Sequence, residues 1–292
     1  MLNILVTGSN GQLGSEIQEL SSLFPYTFFF TCKDQLDISD EQAIKSFVEK
    51  NAISAIINCA AYTAVDKAES EEALADTINH QAIKHLASIA KEKNIKLIHI
   101  STDYVFDGTS HKPYREIDTT NPQSVYGKTK LDGENALLQG ELPNSIIIRT
   151  SWVYSSYGAN FVKTMLRLGK EKDALGVIYD QVGTPTYAKD LAKVILDILP
   201  KINTTQTQIY NYSNEGVASW YDFAQEIMQM AKLTCKINPI ETSQYPTPAK
   251  RPHYSLLNKA KIKNEFGIEI PYWKDSLEEC LRKIEKKINA TE

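Results

Sequence analysis

Tyr126-Gly-Lys-Thr-Lys130 sets a phenol and an ammonium four residues apart in a stretch with helical patterning, so the two share one face. A free phenol keeps its proton up to about pH 10. A nearby ammonium favours the phenolate and draws that value toward neutrality. Such a tyrosine can give a proton to a carbonyl oxygen while a hydride arrives at the carbon, and take it back in reverse. Of 15 tyrosines only Tyr126 has a lysine four residues later, about what chance supplies. The weight of the pair therefore comes from its place, after the fourth predicted strand. That strand ends in Ser101-Thr-Asp-Tyr-Val-Phe106. Alternation lets only one of Ser101 and Thr102 face a cleft. Thr102 is the choice, placed to hydrogen-bond a substrate carbonyl and orient Tyr126. Asp103 beside it could tune the site or bind a sugar hydroxyl.

Elements must position these groups. Residues 2–14 read Leu-Asn-Ile-Leu-Val-Thr-Gly-Ser-Asn-Gly-Gln-Leu-Gly, an apolar run ending in Gly8, Gly11 and Gly14. A strand that turns into a helix through such glycines lets the backbone approach a pyrophosphate, with the helix N-terminus facing the charge. The spacing departs by one residue from the common G-x-G-x-x-G. Strands are predicted at 2–7, 26–31, 54–58, 95–101 and 145–150, with helices near 12–21, 40–50, 68–92 and 124–139. This alternation predicts an α/β fold, a doubly wound parallel sheet (Rossmann-like). Ligands of such sheets bind beyond the carboxyl ends of the strands, and polar or reactive residues do follow each of the five.

The second half is less regular. Runs at 176–179 and 208–212 and a helix at 187–199 could still belong to the sheet. Segments 151–175 and 213–292 carry more Pro, Trp and Tyr, and Tyr245-Pro-Thr-Pro-Ala-Lys-Arg-Pro252 must be a loop. We expect a dinucleotide-binding domain from 1–150 plus about 176–212. A smaller interleaved substrate-capping domain is expected from 151–175 and 213–292. A last helix at about 275–288 has Leu277, Leu281 and Ile284 on one stripe and a solvated charged face.

Bulk properties narrow the function. A chain of 292 residues, 42% hydrophobic and 23% charged, can bury a full core. A net charge of −4 argues against a nucleic-acid or membrane-surface partner. Cys32, Cys59, Cys235 and Cys280 are scattered, as reduced thiols of a cytoplasmic protein would be. A strand that begins at once leaves no room for a signal peptide, and no apolar stretch nears the ~18 residues of a membrane span. The five histidines show no H-x-x-x-H spacing, so no metal site is expected of them.

The glycine turn, the Ser-Thr-Asp-Tyr-Val-Phe run and the Tyr126…Lys130 pair, in this order, resemble an extended short-chain dehydrogenase/reductase. Within that group the chain resembles the dTDP-4-dehydrorhamnose reductase family over nearly its whole length. The runs that carry the likeness are Asn58-Cys-Ala-Ala-Tyr-Thr-Ala-Val-Asp-Lys-Ala-Glu69, Val125-Tyr-Gly-Lys-Thr-Lys-Leu131, Arg149-Thr-Ser-Trp-Val-Tyr154, Asn160-Phe-Val-Lys-Thr-Met-Leu166, Asp180-Gln-Val-Gly-Thr-Pro-Thr186 and the 245–252 loop. The resemblance implies reduction of the C4 carbonyl of dTDP-4-dehydro-L-rhamnose in making an activated sugar for surface polysaccharide. It implies Tyr126 as general acid, with Lys130 lowering its pKa and holding the nicotinamide ribose. Thr102 and Asp103 contact the sugar, Trp152 packs on it and Val65 lines the same pocket. Some members use Mg2+ held by glutamates between subunits; Glu16 is the candidate here, or a solvated side chain. A monomer or homodimer is expected.

Coenzyme contacts follow residue by residue. Gly11, Gln12 and Leu13 offer N–H groups to the pyrophosphate. Asp37 could accept the adenine amino group while Ile38 packs on the ring. Ala60, Ala61 and Thr63 follow the third strand, where small side chains admit the ribose or simply pack. The second strand ends in Thr31-Cys-Lys-Asp34. Lys33 suits a 2′-phosphate and Asp34 a 2′-hydroxyl, so NADPH with NADH tolerated is the expectation. Another reductase or a 4-epimerase acting on a nucleotide sugar, or a non-catalytic regulatory relative, are the alternatives.

Overall fold

A computed structural model describes residues 2–289. Its first half runs β1 (Asn3–Thr7), α1 (Gln12–Leu20), β2 (Thr27–Thr31), α2 (Glu41–Lys50), β3 (Ala55–Asn58), α3 (Val65–Ala68) and α4 (Glu72–Asp76). A π-helical stretch, Thr77–Gln81, leads into α5 (Ala82–Lys93), followed by β4 (Lys96–Thr102), α6 (Val125–Gln139) and β5 (Ser145–Thr150). The second half runs β6 (Val153–Tyr154), α7 (Phe161–Glu171), β7 (Ala174–Ile178), β8 (Val182–Gly183), β9 (Thr186–Tyr187), α8 (Ala188–Ile198) and β10 (Gln208–Asn211). It closes with β11 (Ala218–Ser219), α9 (Trp220–Met230), β12 (Lys236–Ile240), α10 (Ala260–Phe266) and α11 (Trp273–Asn289).

Six strands form one sheet in the order β10-β5-β4-β3-β1-β2, every pair parallel. Helices cover both faces, and the alternation of side chains divides the core accordingly. Ile4, Val6, Ile57, Ile98, Ile146 and Ile148 meet α1 and α8 on one face. Leu5, Ile56, Leu97 and Ile147 meet α2, α5 and α6 on the other. Each such fully buried side chain stabilises the fold by roughly 1.5–3 kcal/mol relative to exposure. A third cluster, with Tyr154, Val162, Phe223, Trp273 and Leu277, builds a separate lobe from β6, α7, α9 and α11.

Two expectations fail. The strand expected at 176–179 does not join the central sheet: β7 pairs with β12 instead. Its residues alternate between covered and exposed, whereas a strand inside a parallel sheet must be covered on both faces. The helix expected at 68–92 is broken. Ser70 returns its hydroxyl to the Lys67 carbonyl and ends α3. The π-helical stretch then carries Asn79 inward, where it bonds the Tyr62 backbone and Thr129 of α6. α6 passes so close that a Cβ at Gly133 would stand 2.2 Å from the Asn79 carbonyl oxygen.

Candidate active site

A cavity of about 580 Å³ opens beyond the carboxyl ends of β1, β3, β4 and β5, under the second lobe. Gly11, Gln12 and Leu13 form one wall, Ala61, Thr63 and Val65 the next, and Thr102, Asp103, Tyr126 and Lys130 a third. Trp152 and Trp220 close it from the second lobe, stacked with ring centroids 3.7 Å apart. Trp152 has φ +48°, a left-handed conformation rare for a bulky residue. Holding it there costs about 1–3 kcal/mol, opposed by the stack on Trp220 and by the Thr186 N–H, which donates to the Trp152 carbonyl.

The glycine turn is shaped by packing. Gly8 has φ +64°, and a Cβ on it would lie 2.7 Å from the Ala60 nitrogen. A Cβ on Gly14 would lie 2.5 Å from the Gly8 carbonyl. Neither glycine lines the cavity; both let α1 start where Gln12 and Leu13 face it. These are the first two residues of α1, so their N–H groups have no helical carbonyl behind them. That turn fits a pyrophosphate.

Tyr126 stands in the first turn of α6, whose N-cap Ser124 accepts from the Gly127 N–H. Burial pushes its phenol up to about 12, against a hydrogen bond with Thr102. Thr102 Oγ1 donates to Asp103 Oδ1 at 3.0 Å. Ser101 lines the same wall, but its hydroxyl is committed to Glu134 Oε1 at 2.5 Å. Asp103 is buried, and burial pushes its carboxyl up to about 7 against hydrogen bonds with Ser255 and Thr102.

Lys130 corrects one expectation. Its ammonium does not draw the Tyr126 phenol toward neutrality. Nζ donates to the Ile100 carbonyl at 2.7 Å and lies 3.3 Å from His99 Nε2, and burial pulls Lys130 itself down to about 8. Desolvation outweighs the expected charge effect on the phenol.

The remaining residues lie off the cavity wall. Lys33 is exposed in the turn after β2. Asp37 accepts from the Ser39 N–H and hydroxyl, which hold its carboxyl below the usual range. Ile38 is buried in the core beside α2, and Ala60 packs against the same cluster. Glu16 is fully buried, not solvated. Its Oε1 accepts from Ser155 and its Oε2 from Lys283 of α11 at 2.6 Å, so both oxygens are used and the side chain does not suit a metal ligand. Lys283 in turn departs from the solvated face expected of α11. Sequence reasoning missed Trp220, His99 and Asn160. Asn160 donates to Gln12 Oε1 across the lobes, and no local motif marks such a contact. His99 could have been noticed as a lone polar residue inside an apolar strand.

The comparisons agree with this architecture. A family model described as RmlD substrate binding domain matches residues 2–286. A dTDP-4-dehydrorhamnose reductase of Aggregatibacter actinomycetemcomitans is 42% identical over 290 residues, spanning 95% of this chain and 97% of that protein. The chain belongs to the dTDP-4-dehydrorhamnose reductase family. The solved reductase of Clostridium acetobutylicum, 42% identical, superposes with a TM-score of 0.93 over 97% of this chain and 100% of its own. The family member from Bacillus anthracis, solved in complex with NADP, is 37% identical with a TM-score of 0.91, again over 97% of this chain and 100% of its own. Family membership thus extends through the second lobe that roofs the cavity. Among the described residues no helix is long and apolar enough to cross a membrane.

Proposed function

We propose that the protein reduces the C4 carbonyl of dTDP-4-dehydro-L-rhamnose to give dTDP-L-rhamnose, preferring NADPH and accepting NADH. The observation that carries this reading is the placement of Tyr126, Thr102 and Asp103 on one cavity wall, facing the glycine turn and roofed by Trp152 and Trp220. When bound, the coenzyme supplies the hydride. Gly11, Gln12 and Leu13 hold its pyrophosphate at the start of α1. Ala61 and Thr63 border the ribose, with Ala60 behind them. Asp37 and Ile38 lie toward the adenine end, and Lys33 beyond the tip of β2 pairs with a 2′-phosphate.

Tyr126 gives its proton to the carbonyl oxygen. A phenol held near 12 is fully loaded at neutral pH, which suits an acid working in the reductive direction. Thr102 orients that phenol, and the Asp103 carboxyl beside it takes a hydroxyl of the sugar. Trp152 packs on the sugar and Val65 lines its pocket. Lys130 holds the nicotinamide ribose. Residues 1–150 with α8 and β10 form the coenzyme part; 151–175 and 213–292, joined by β7, form the sugar part. A nucleotide-sugar substrate and free cysteines suit a cytoplasmic reaction.

The test is an assay with the keto sugar generated in place by its upstream enzymes. Coenzyme oxidation that depends on the sugar supports the reading; sugar interconversion without net oxidation overturns it. Lys33→Ala should weaken NADPH more than NADH, and equal losses would remove Lys33 from the coenzyme site.

A further inference from the structure

Behind the cavity a row of polar side chains crosses three neighbouring strands and ends on a helix. Thr7 of β1, Asn58 of β3 and His99 of β4 are register partners, all buried within the apolar sheet. Thr7 Oγ1 lies 2.6 Å from Asn58 Oδ1, and Asn58 Nδ2 lies 3.0 Å from His99 Nδ1. His99 Nε2 lies 3.3 Å from Lys130 Nζ. Burying such a row costs free energy unless its hydrogen bonds are made, and an apolar row would build the same sheet. The row must therefore serve its end. Of the four, only Lys130 reaches the cavity wall.

Counting protons shows how it serves. Burial first, and the Lys130 charge second, keep the His99 ring neutral. A neutral imidazole has one N–H and one lone pair, whereas an ammonium only donates. A charged Lys130 thus requires Nε2 as acceptor, which puts the ring proton on Nδ1. Nδ1–H then needs the Asn58 carbonyl, and the Asn58 amide nitrogen turns to Thr7. The structure holds the opposite arrangement: Thr7 Oγ1 donates to Asn58 Oδ1 and Asn58 Nδ2 donates to His99 Nδ1, which leaves the ring proton on Nε2 and suits an uncharged Lys130. The row therefore couples the orientation of Asn58 to the charge on Lys130.

We propose that His99 is a positioning residue: when the Asn58 amide turns over against Thr7, the His99 Nε2 lone pair is freed to hold the Lys130 ammonium at the floor of the cavity. It acts through Lys130 and touches neither coenzyme nor sugar, and it rests on the role of Lys130 given above. An acceptor there opposes the burial that pulls the lysine down to about 8.

Side-chain shape provides the test. Glutamine can place an amide oxygen where Nε2 stands, while asparagine reaches only to Nδ1. His99→Asn should lower kcat at least ten-fold and weaken NADPH binding, read by the coenzyme's fluorescence. His99→Gln should keep turnover at least five-fold above His99→Asn. In a Lys130→Met background the two should give the same residual kcat within two-fold, because the group they act through is gone. Equal losses for Gln and Asn, or an Asn loss undiminished in the Lys130→Met background, overturn the proposal. If His99→Asn does not fold, Asn58→Leu disturbs the same row from behind. A kcat loss there that vanishes with Lys130→Met supports the proposal, and no loss overturns it. NADPH binding needs no sugar. A wild type that binds NADPH but does not reduce the sugar therefore counts against the proposed reaction alone, and unchanged NADPH affinity in His99→Asn counts against the row.

Discussion

Two acids share the cavity wall, and burial treats them alike by favouring their neutral forms. For Tyr126 this means a proton always in place. Tyr126→Phe removes one hydroxyl and leaves the pyrophosphate turn untouched, so kcat should fall by roughly 10²–10⁴ while NADPH binding changes little. Turnover at wild-type level would remove the phenol from the chemistry. For Asp103, pushed up to about 7, the consequence is a stability that depends on pH. A carboxyl raised above its unfolded value binds more protons in the native state. Its favourable contribution is complete below about pH 4 and is lost as the pH climbs through 7. Asp103→Asn keeps the shape and removes the titration. The variant should gain on the wild type by about 2–4 kcal/mol between pH 5 and pH 8.5, measured by urea unfolding at both values. A constant difference would show that Asp103 is ionised throughout.

The catalytic helix α6 is held from beneath by charge. Glu134 is fully buried and takes a forked bond from Arg149 of β5, with Nη2 at 2.6 Å from Oε2 and Nε at 3.0 Å from Oε1. Ser101 of β4 gives a third bond, so the carboxylate ties the helix to two strands one turn beyond Lys130. The pair adds less stability than its removal costs, because a lone buried charge is left behind. Arg149→Met should therefore lose about 3–5 kcal/mol. The double variant Arg149→Met/Glu134→Leu should recover most of that, read from urea midpoints. Losses that simply add would mean the two groups do not share their burial. The helix itself was legible from its Ser124 cap and its Tyr-Lys spacing. Its tether was not, since Arg149 and Glu134 come together only when β5 pairs beside β4.

The two lobes are joined away from the cavity by α1 and α11. Lys283 reaches Glu16 at 2.6 Å and Glu19 at 2.7 Å, while Ser155 closes over the other oxygen of Glu16. Gln12, at the head of the same helix, meets Asn160 at the cap of α7. The helix that faces the pyrophosphate is thus gripped at both ends by the second lobe. Lys283→Met strands the Glu16 carboxylate and should cost about 3 kcal/mol, whereas adding Glu16→Gln should return most of the loss. Thermal unfolding of the single and double variants reads this directly, and a Lys283→Met protein as stable as the wild type would show that the pair carries nothing.

Periodicity and turn chemistry are local, so residues close in sequence determined the five leading strands, the glycine turn, α6 and the cluster of polar groups after each strand. The family likeness was readable for the same reason, being carried by short contiguous runs. What tertiary structure alone decided lies between distant segments: β7 leaving the sheet for β12, Trp220 arriving under Trp152, Glu16 buried against Lys283, and His99 joining Asn58 to Lys130. The pKa values belong with these. Spacing placed Lys130 one turn from Tyr126, yet burial depth set the field each group feels, and depth is a property of the whole packed molecule.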